Sequence, residues 1–490
     1  MQAIVIGAGV NGLAAALNLA ATGIRTLVVE RAPQCGGQAV TEESLLPGFK
    51  LHPHANYLSY ADLLDRQSDA ASKAMPRHVV MPLAQHGMAF RDGRPPLVLY
   101  RREAAQKTLQ SLSMFSRHDA RAFVQAKALA DQLTRPLAGI YFSPPHAAAI
   151  KGYAGEVAEL YAGLFDPRLL GTRSAQQVID ALFESDEVRT LFYRLTLEFS
   201  GSLHEVGGDA AFLGYVLWIL GRRTLPVGGM ASVPEALAGA ARKAGVVVAC
   251  GVGVDRIALR DGAVRGAHLS DGSFMPADIV VSSADYEASM GELIADDERP
   301  SRYAQVRSNM IGSYAACLAR APDYSSAAHN ADINQCGQVF IGLDSCAEVM
   351  EHVSDLEAGR LPLPSGAIRV NSLWDASQAP AGQHAAGADC QFPDGLDGAM
   401  LQRVEAVYPH AFAATWAEYA PNLSDAVLAH RITLSSDKAR KIALREGDNQ
   451  YRGPVRGYYL CGASTHPGGG VHGACGVNAV QAIRKDFPAA

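Results

Sequence analysis

The hydrophobic pattern at the start of the chain places a glycine turn between two short apolar runs. Residues 3–6 are apolar, a turn with Gly7, Gly9 and Gly12 follows, and an alanine-rich helical stretch leads to a second run over 25–29. That second run carries no polar face, which is typical of a buried parallel strand. The order of strand, glycine turn, helix and strand predicts a βαβ unit.

A second block, between about residues 226 and 285, combines a helix, strands and hairpin turns. Its predicted elements are a helix over 233–244, a strand over 246–254, turns at Asp261-Gly262 and Asp271-Gly272, and a buried strand over 277–285. Because Asp-Gly is typical of tight hairpins, the two turns predict three antiparallel strands.

A third block begins with an apolar strand over 457–463 and ends in a helix over about 474–485. The loop between them repeats the glycine spacing of the first turn at Gly468, Gly470 and Gly473. This spacing can also mark a nucleotide-binding turn at the start of a βαβ unit. Pro467 precedes the loop, however, and too little chain follows for another βαβ unit, so we do not interpret it in that way. Its small residues instead allow backbone to approach a flat ring edge-on, beside the positive end of the next helix.

Two long stretches, 76–224 and 286–440, separate these blocks and are the candidate substrate domain. The first has a mostly helical pattern and ends in 210–220, a segment that is apolar on all sides. We interpret that segment as core, with an apolar tunnel or contact with a membrane surface as alternatives. The second predicts a strand over 338–341, a helix over 345–356, and a strand over 368–373 that leads to Trp374.

Length and composition narrow the class of protein. With 490 residues, 48% hydrophobic and 19% charged, the chain is long enough for more than one core and too apolar to be disordered. A net charge of −6 without a basic stripe argues against nucleic acid as a partner.

The cysteine spacing and the hydropathy of the chain indicate its cellular location and whether it has a metal site. The 8 cysteines form no C-x-x-C pair and have no histidine spacing suited to zinc, so we expect no metal site and a reducing, cytoplasmic location. We expect no secretory leader ahead of the first strand and no transmembrane span, since 210–220 is too short to cross a bilayer.

The first turn predicts a dinucleotide site. Gly7 permits the tight turn, Gly9 lets backbone approach a pyrophosphate, and Gly12 allows helix and strand to pack closely. The helix N-terminus favours the phosphate charges, and Glu30, at the end of the second strand, can accept hydrogen bonds from a ribose. A second glycine pair, Gly36 and Gly37, would pass the same pyrophosphate again, which an NAD domain does not need.

These motifs resemble a known family. The run from Glu30 through Gly36-Gly37 to Pro47-Gly48-Phe49 is similar to the FAD-dependent amine oxidases and carotenoid desaturases. The sequence G-A-S-T-H-P-G-G-G-V-H-G at 462–473 resembles the C-terminal flavin motif of phytoene desaturases.

The resemblance implies an α/β fold. A Rossmann-type FAD-binding domain, with a parallel sheet and an antiparallel β-meander, would be interleaved with an α+β substrate domain. The FAD domain would comprise 1–75, 225–285 and 441–490, and the substrate domain 76–224 and 286–440, whose strands would form a floor over the flavin. The residues expected to bind FAD are Gly7, Gly9, Val10, Asn11, Gly12, Glu30, Arg31, Gly36, Gly37, Gln38, His54, Ala55, Val254, Gly462, Ala463, Gly469, Gly470 and Val471.

The expected activity is FAD-dependent desaturation or dehydrogenation of an apolar or aromatic small molecule in biosynthesis, with dioxygen or a quinone as oxidant. His54, in the segment that passes the flavin in relatives, His472 in the C-terminal loop, and Trp374 are the catalytic candidates. A redox-neutral isomerase and a non-catalytic flavin-binding interaction protein are the alternatives. Contact with a membrane surface is expected if the substrate is a long lipid, and the oligomeric state is left open.

Overall fold

The computed structural model describes residues 1–199, 201–294, 310–393, 395–434 and 451–488. Its strands are β1 (Gln2–Ile6), β2 (Arg25–Glu30), β3 (Val79–Val80), β4 (Ala84–Met88), β5 (Leu97–Tyr100), β6 (Leu225–Pro226), β7 (Val247–Cys250), β8 (Val254–Arg260), β9 (Ala263–Leu269), β10 (Phe274–Pro276), β11 (Ile279–Ser282), β12 (Met310–Leu318), β13 (Gln338–Ile341), β14 (Gly366–Arg369), β15 (His384–Phe392), β16 (Val427–Leu434) and β17 (Tyr458–Leu460).

The α-helices lie between these strands and cover their faces. They are α1 (Val10–Ala21), α2 (Ala61–Leu64), α3 (Ala70–Ala74), α4 (Ala105–Ser113), α5 (Arg117–Gln132), α6 (Thr134–Tyr141), α7 (Ala147–Tyr161), α8 (Ala175–Leu182), α9 (Asp186–Phe199), α10 (Gly208–Ala211), α11 (Leu217–Ile219), α12 (Ser232–Lys243), α13 (Cys346–Glu357), α14 (Gly398–Tyr419) and α15 (Ala474–Asp486). Within the described residues, no helix is both long and apolar enough to span a bilayer.

The first sheet is parallel and five-stranded, in the order β17-β11-β1-β2-β7. Its strands come from the beginning, middle and end of the chain, and β1 lies between β11 and β2 with Val5 paired to Val281 and to Val28. A three-stranded antiparallel sheet, β10-β9-β8, packs against it. The predicted α/β fold class, with parallel sheet and β-meander, is confirmed.

The second large sheet is mixed and seven-stranded, in the order β16-β12-β15-β14-β13-β4-β5. One face packs against α14 through a core that includes Ile341, Ile368 and Phe412. The other face is turned toward α9, whose Arg194 donates to the carbonyls of Ile341 and Gly366. The predicted domain division stays a prediction, and its boundary at 440–441 lies outside the described residues.

Two sequence predictions require correction. The strand expected over 246–254 is two strands, because Gly251 takes a φ of +81° and turns the chain from β7 in one sheet to β8 in another. The strand expected over 368–373 ends at Arg369 and continues as a 3₁₀ turn, Asn371–Leu373. The stretch 76–224 is mostly helical, as predicted, and its strands β4 and β5 form an edge of the seven-stranded sheet.

The apolar segment 210–220 forms core, as the sequence favoured. It consists of α10, a π-helical turn Phe212–Val216, and α11. Phe212, Val216 and Trp218 are fully buried, and the Trp218 indole nitrogen donates to Thr134 over 2.9 Å.

The crossing of α1 and α15 depends on a glycine. A Cβ added to Gly476 would lie 2.1 Å from the Asn11 carbonyl oxygen and 2.7 Å from the Ala15 nitrogen, both rigid backbone atoms. We therefore expect Gly476→Ala to lower the free energy of unfolding by about 1–3 kcal/mol, as measured by urea denaturation.

The matched control is Gly239→Ala in α12. An added Cβ there meets nothing within 4 Å, so the change should stabilise the protein by about 0.5–1 kcal/mol through higher helix propensity. If both variants shifted stability in the same direction, the close approach at Gly476 would not be the cause.

Candidate functional site

The turn between β1 and α1 has the backbone conformation that a phosphate site needs. Gly7 has a φ of +92°, and an added Cβ on Gly12 would lie 2.1 Å from the Gly7 carbonyl oxygen. Gly9 precedes α1 in extended conformation, and no side chain caps the helix. Its first N–H groups are therefore available to an anion.

Glu30 ends β2 beside this turn and is buried. Its two carboxylate oxygens accept hydrogen bonds from the backbone N–H of Ala8, over 2.7 Å, and of Ala32, over 2.8 Å. The carboxylate is thus held at the strand end by the glycine turn itself. The 251–254 link lies alongside, because Val252 donates to the Glu30 carbonyl over 3.1 Å, which places Val254 near this end of the site.

The second glycine pair packs directly on the first turn. Gly36 donates to the Ala8 carbonyl over 3.1 Å, and an added Cβ on Gly37 would lie 3.1 Å from the Gly9 Cα. Gln38 then accepts from the backbone N–H of Ala55 over 3.2 Å, which attaches the segment containing His54 to the same loop.

The C-terminal glycine loop, residues 468–473, lies on the opposite side of the candidate site. Gly473 begins α15 with a φ of +70° and no side-chain cap, and an added Cβ there would lie 3.1 Å from Ala14 and 3.9 Å from Val10. The N-terminal ends of α1 and α15 therefore meet, so that two positive dipole ends face one region.

These residues fit FAD. Several predicted cofactor contacts are exposed although they lie between buried elements, namely Arg31, Gly37, Gln38, Ala463, Gly469 and Gly470. The Asn11 Oδ1 atom is buried and has no hydrogen-bond partner among the described residues. Uncapped helix ends, a fixed carboxylate and open glycine surfaces are what a dinucleotide with a flat ring would cover.

Aromatic side chains pack on the C-terminal loop. Tyr60 donates to or accepts from the Tyr215 hydroxyl over 2.7 Å, and its ring meets His472 edge-on at 5.0 Å between centroids. Tyr141 contacts the same imidazole at 5.5 Å. Burial raises the pKa of all three tyrosines, so this wall is uncharged.

His472 has a defined neutral tautomer. Its Nδ1 accepts from the Ala474 backbone N–H over 3.0 Å, so Nε2 carries the proton and donates to the Gly469 carbonyl over 3.2 Å. Burial lowers its pKa to about 4. In this arrangement the imidazole holds the glycine loop in shape, and its predicted catalytic role stays a prediction.

His54 and Trp374 lie on two segments that touch. The His54 carbonyl accepts from Asn56 Nδ2 over 2.7 Å, the Asn56 carbonyl accepts from Asn371 Nδ2 over 3.2 Å, and Asn371 is three residues from Trp374. The Trp374 indole nitrogen is buried without a hydrogen-bond partner in the described part of the chain. Their catalytic roles also stay predictions.

Sequence reasoning missed a buried cluster of charged residues behind this segment. Glu198, Arg223 and Arg369 have side chains that are 11%, 1% and 1% exposed. They come from α9, the link before β6, and β14, so no local spacing connects them. An arginine inside the apolar run 366–370 was the one available signal.

Comparisons with known proteins agree with the fold and with FAD as the cofactor. Residues 2–182 match the family model described as FAD dependent oxidoreductase. The chain is 27% identical to rat "Pyridine nucleotide-disulfide oxidoreductase domain-containing protein 2" over 99% of this chain and 94% of the relative. It is 24% identical to one of the polypeptides of the limonene dehydrogenase of Castellaniella defragrans, over 99% and 94% of the two chains.

Two further similarities concern the carotenoid enzymes and the fold. The zeta-carotene-forming phytoene desaturase of Myxococcus xanthus is 25% identical over 96% of this chain and 90% of its own. A crystal structure of an oxidoreductase from Methanosarcina mazei superposes with a TM-score of 0.63 at 16% identity, covering 99% of this chain and 100% of that one.

The match over residues 2–182 makes the protein an FAD-dependent oxidoreductase. The predicted resemblance to the phytoene and carotenoid desaturases is confirmed. FAD is its cofactor, and the residues expected to bind it stay a prediction.

Proposed function

We propose that the protein dehydrogenates a carbon–carbon bond of an apolar small molecule in a biosynthetic pathway. A hydride and a proton leave adjacent carbons, and dioxygen or a quinone takes up the two electrons. When bound, FAD supplies the hydride acceptor. Two of the relatives are named for such chemistry, as a limonene dehydrogenase and a phytoene desaturase.

The observation that carries the proposal is the uncharged aromatic wall that Tyr60, Tyr141 and Tyr215 form at the C-terminal glycine loop. Behind it lies a small apolar cavity between α5, α7 and the π-helical turn, where its lining includes Leu129, Val157 and Leu213.

The residues of this wall position the substrate and exclude water. Tyr60, Tyr141 and Tyr215 present ring faces, and His472 is uncharged, so a hydrocarbon can bind without displacing a hydrated ion. His54 is the candidate for accepting the proton, since its segment is attached to the second glycine loop through Ala55 and Gln38.

The test is anaerobic mixing of the flavin-loaded protein with limonene, with phytoene and with primary amines. We expect a hydrocarbon of this panel to bleach the flavin absorbance near 450 nm while the amines leave it unchanged. Bleaching by amines alone, or by no compound of the panel, would contradict the proposal.

Oxygen uptake separates dehydrogenation from the isomerase alternative. A dehydrogenase consumes one molecule of oxidant for each double bond formed, whereas a redox-neutral isomerase converts its substrate with no net uptake. Product formation without consumption of oxygen or added quinone would favour the isomerase.

A further inference from the structure

One face of the seven-stranded sheet carries a row of polar side chains. His86 in β4 is paired with Gln338 in β13, and the pairing of β13 with β14 places Gln338 beside Arg369. Asp389 in β15 continues the row on the same face, two residues beyond the partner of Arg369. We call these four residues the polar row.

The row is set into an otherwise apolar sheet. The alternate residues of the same strands, Val339, Ile368 and Ala388, point to the opposite face and join the core against α14. His86, Gln338 and Arg369 are at most 2% exposed. Burying such a row is costly unless each polar group has a partner.

Glu198, in α9, and Arg223, just before β6, contact the polar row. Gln338 Nε2 donates to Glu198 Oε2 over 3.0 Å, while Arg223 Nη2 and Arg369 Nη1 lie 3.6 and 3.8 Å from Glu198 Oε1. Arg369 Nη2 lies 2.7 Å from Asp389 Oδ2. One carboxylate therefore lies between two guanidinium groups, and a second acid contacts only Arg369.

Donors outnumber acceptors in this cluster. Nε and Nη1 of both Arg223 and Arg369, and both ring nitrogens of His86, are buried without a hydrogen-bond partner among the described residues. Arg194, buried beside the same sheet, is different, because its Nη2 donates to the carbonyls of Ile341 and Gly366 and its Nη1 to that of Leu343. The surplus donors mark a place for a further acceptor group.

The charges of the cluster indicate what kind of acceptor. Burial raises the pKa of Glu198, which favours its protonated form, and lowers the pKa of His86 well below its usual value, which keeps it neutral. The unpartnered nitrogens of Arg223 and Arg369 belong to guanidinium groups, whose hydrogen bonds are strongest to a negatively charged acceptor.

The cluster adjoins the segment that lies beside the cofactor site. The Arg223 guanidinium stacks on the Tyr57 ring, 3.6 Å from its centroid, and Leu58 exchanges backbone hydrogen bonds with Thr224. Burial raises the pKa of Tyr57, although its side chain keeps some exposure. Ala55 of the same segment is bound to Gln38 in the second glycine loop.

We propose that Arg223 and Arg369 bind a carboxylate group of the substrate. The substrate class is then an apolar molecule with one carboxylate end, whose hydrocarbon part extends toward the aromatic wall. A carboxylate supplies two acceptor oxygens in a plane and one negative charge, which suits a pair of guanidinium groups. This inference rests on the proposed function only in taking the substrate to lie beside Tyr57.

The probe is decanoate, compared with decan-1-ol, titrated into the flavin-loaded protein. Binding is followed by the change in the visible flavin spectrum, which needs no turnover. We expect decanoate to bind at least about 10-fold more tightly than the alcohol, because a charge-assisted hydrogen bond is replaced by a neutral one.

The test variants are Arg369→Gln and Arg223→Gln. Each is compared with the lysine variant at the same position, Arg369→Lys or Arg223→Lys, which keeps the positive charge. Each glutamine variant should weaken decanoate binding by about 30-fold and leave decan-1-ol unchanged, and lysine should restore part of the loss. Arg194→Gln is the matched control, since its guanidinium is already satisfied, and it should keep the preference for decanoate.

Equal affinity for decanoate and decan-1-ol in the unaltered protein would overturn the inference, as would loss of flavin from the glutamine and lysine variants alike. The comparison of decanoate with decan-1-ol uses the unaltered protein, so it does not depend on whether any variant folds. Reduction of the flavin by limonene or phytoene together with equal affinities would overturn the carboxylate site alone. Selective decanoate binding with no flavin reduction by either hydrocarbon would support the site and count against the proposed function.

Discussion

Replacing Glu30 with alanine is expected to give a protein that purifies with little or no FAD. The Glu30 carboxylate is buried at the end of β2 and accepts from the backbone N–H groups of Ala8 and Ala32. A hydrogen bond from a ribose hydroxyl of FAD to this carboxylate would contribute about 1.5–3 kcal/mol, so its loss should weaken FAD binding by about 10- to 100-fold. The measurement is the ratio of absorbance at 450 and 280 nm, followed by FAD titration of the apoprotein.

Two further variants serve as an intermediate case and a control for the Glu30→Ala variant. Glu30→Gln retains an acceptor oxygen without the charge and should keep an intermediate amount of flavin, whereas Glu235→Ala, at an exposed site on α12, should keep it all. Circular dichroism of the Glu30→Ala apoprotein checks that it folds. A folded Glu30→Ala protein with full flavin content would show that the carboxylate does not hold the cofactor.

Acid should destabilise the protein through its buried histidines. Burial lowers the pKa of His472 and of His352 to about 4, below the value of about 6.5 in an unfolded chain. The unfolded state therefore binds protons first as the pH falls, so the stability that neutral His472 contributes is complete above about pH 6.5 and is lost progressively toward pH 4. Between pH 7.5 and 4.5 the loss for one such histidine is about 2.5 kcal/mol.

Urea denaturation at these two pH values measures the loss. His472→Gln removes the titrating group, so its loss of stability between pH 7.5 and 4.5 should be smaller than that of the unaltered protein by about 2.5 kcal/mol. His118, whose side chain is 60% exposed, provides the control variant His118→Gln, which should behave like the unaltered protein. If the free energy of unfolding of His472→Gln depended on pH in the same way as that of the unaltered protein, His472 would not be buried in its neutral form.

Local patterns were sufficient to predict the βαβ unit and the cofactor. The spacing of Gly7, Gly9 and Gly12 and the acid at the end of β2 predicted the strand, turn, helix and strand, because each requirement is met within a few neighbouring residues. The hairpins at Asp261 and Asp271 were correct for the same reason. The division of 246–254 was missed because both halves are apolar and only the φ of Gly251 separates them.

The buried charge cluster could not be predicted from the sequence. Glu198, Arg223 and Arg369 are brought together by the register of β4, β13 and β14 and by the packing of α9, none of which a single sequence displays. Pairing between strands about 250 residues apart, as for Gln338 and His86, leaves no periodic signal. What the sequence contained was only a charged residue in an apolar strand.

The placement of β17 at one edge of the parallel sheet has a consequence for biogenesis. β1 leaves the ribosome long before its partner β11 and the outer strand β17 are translated. Until then the early βαβ unit has an open sheet edge, and such edges are sites of aggregation. We therefore expect the nascent chain to depend on chaperones until β17 and α15 emerge, and the yellow colour of bound flavin to develop only after that point.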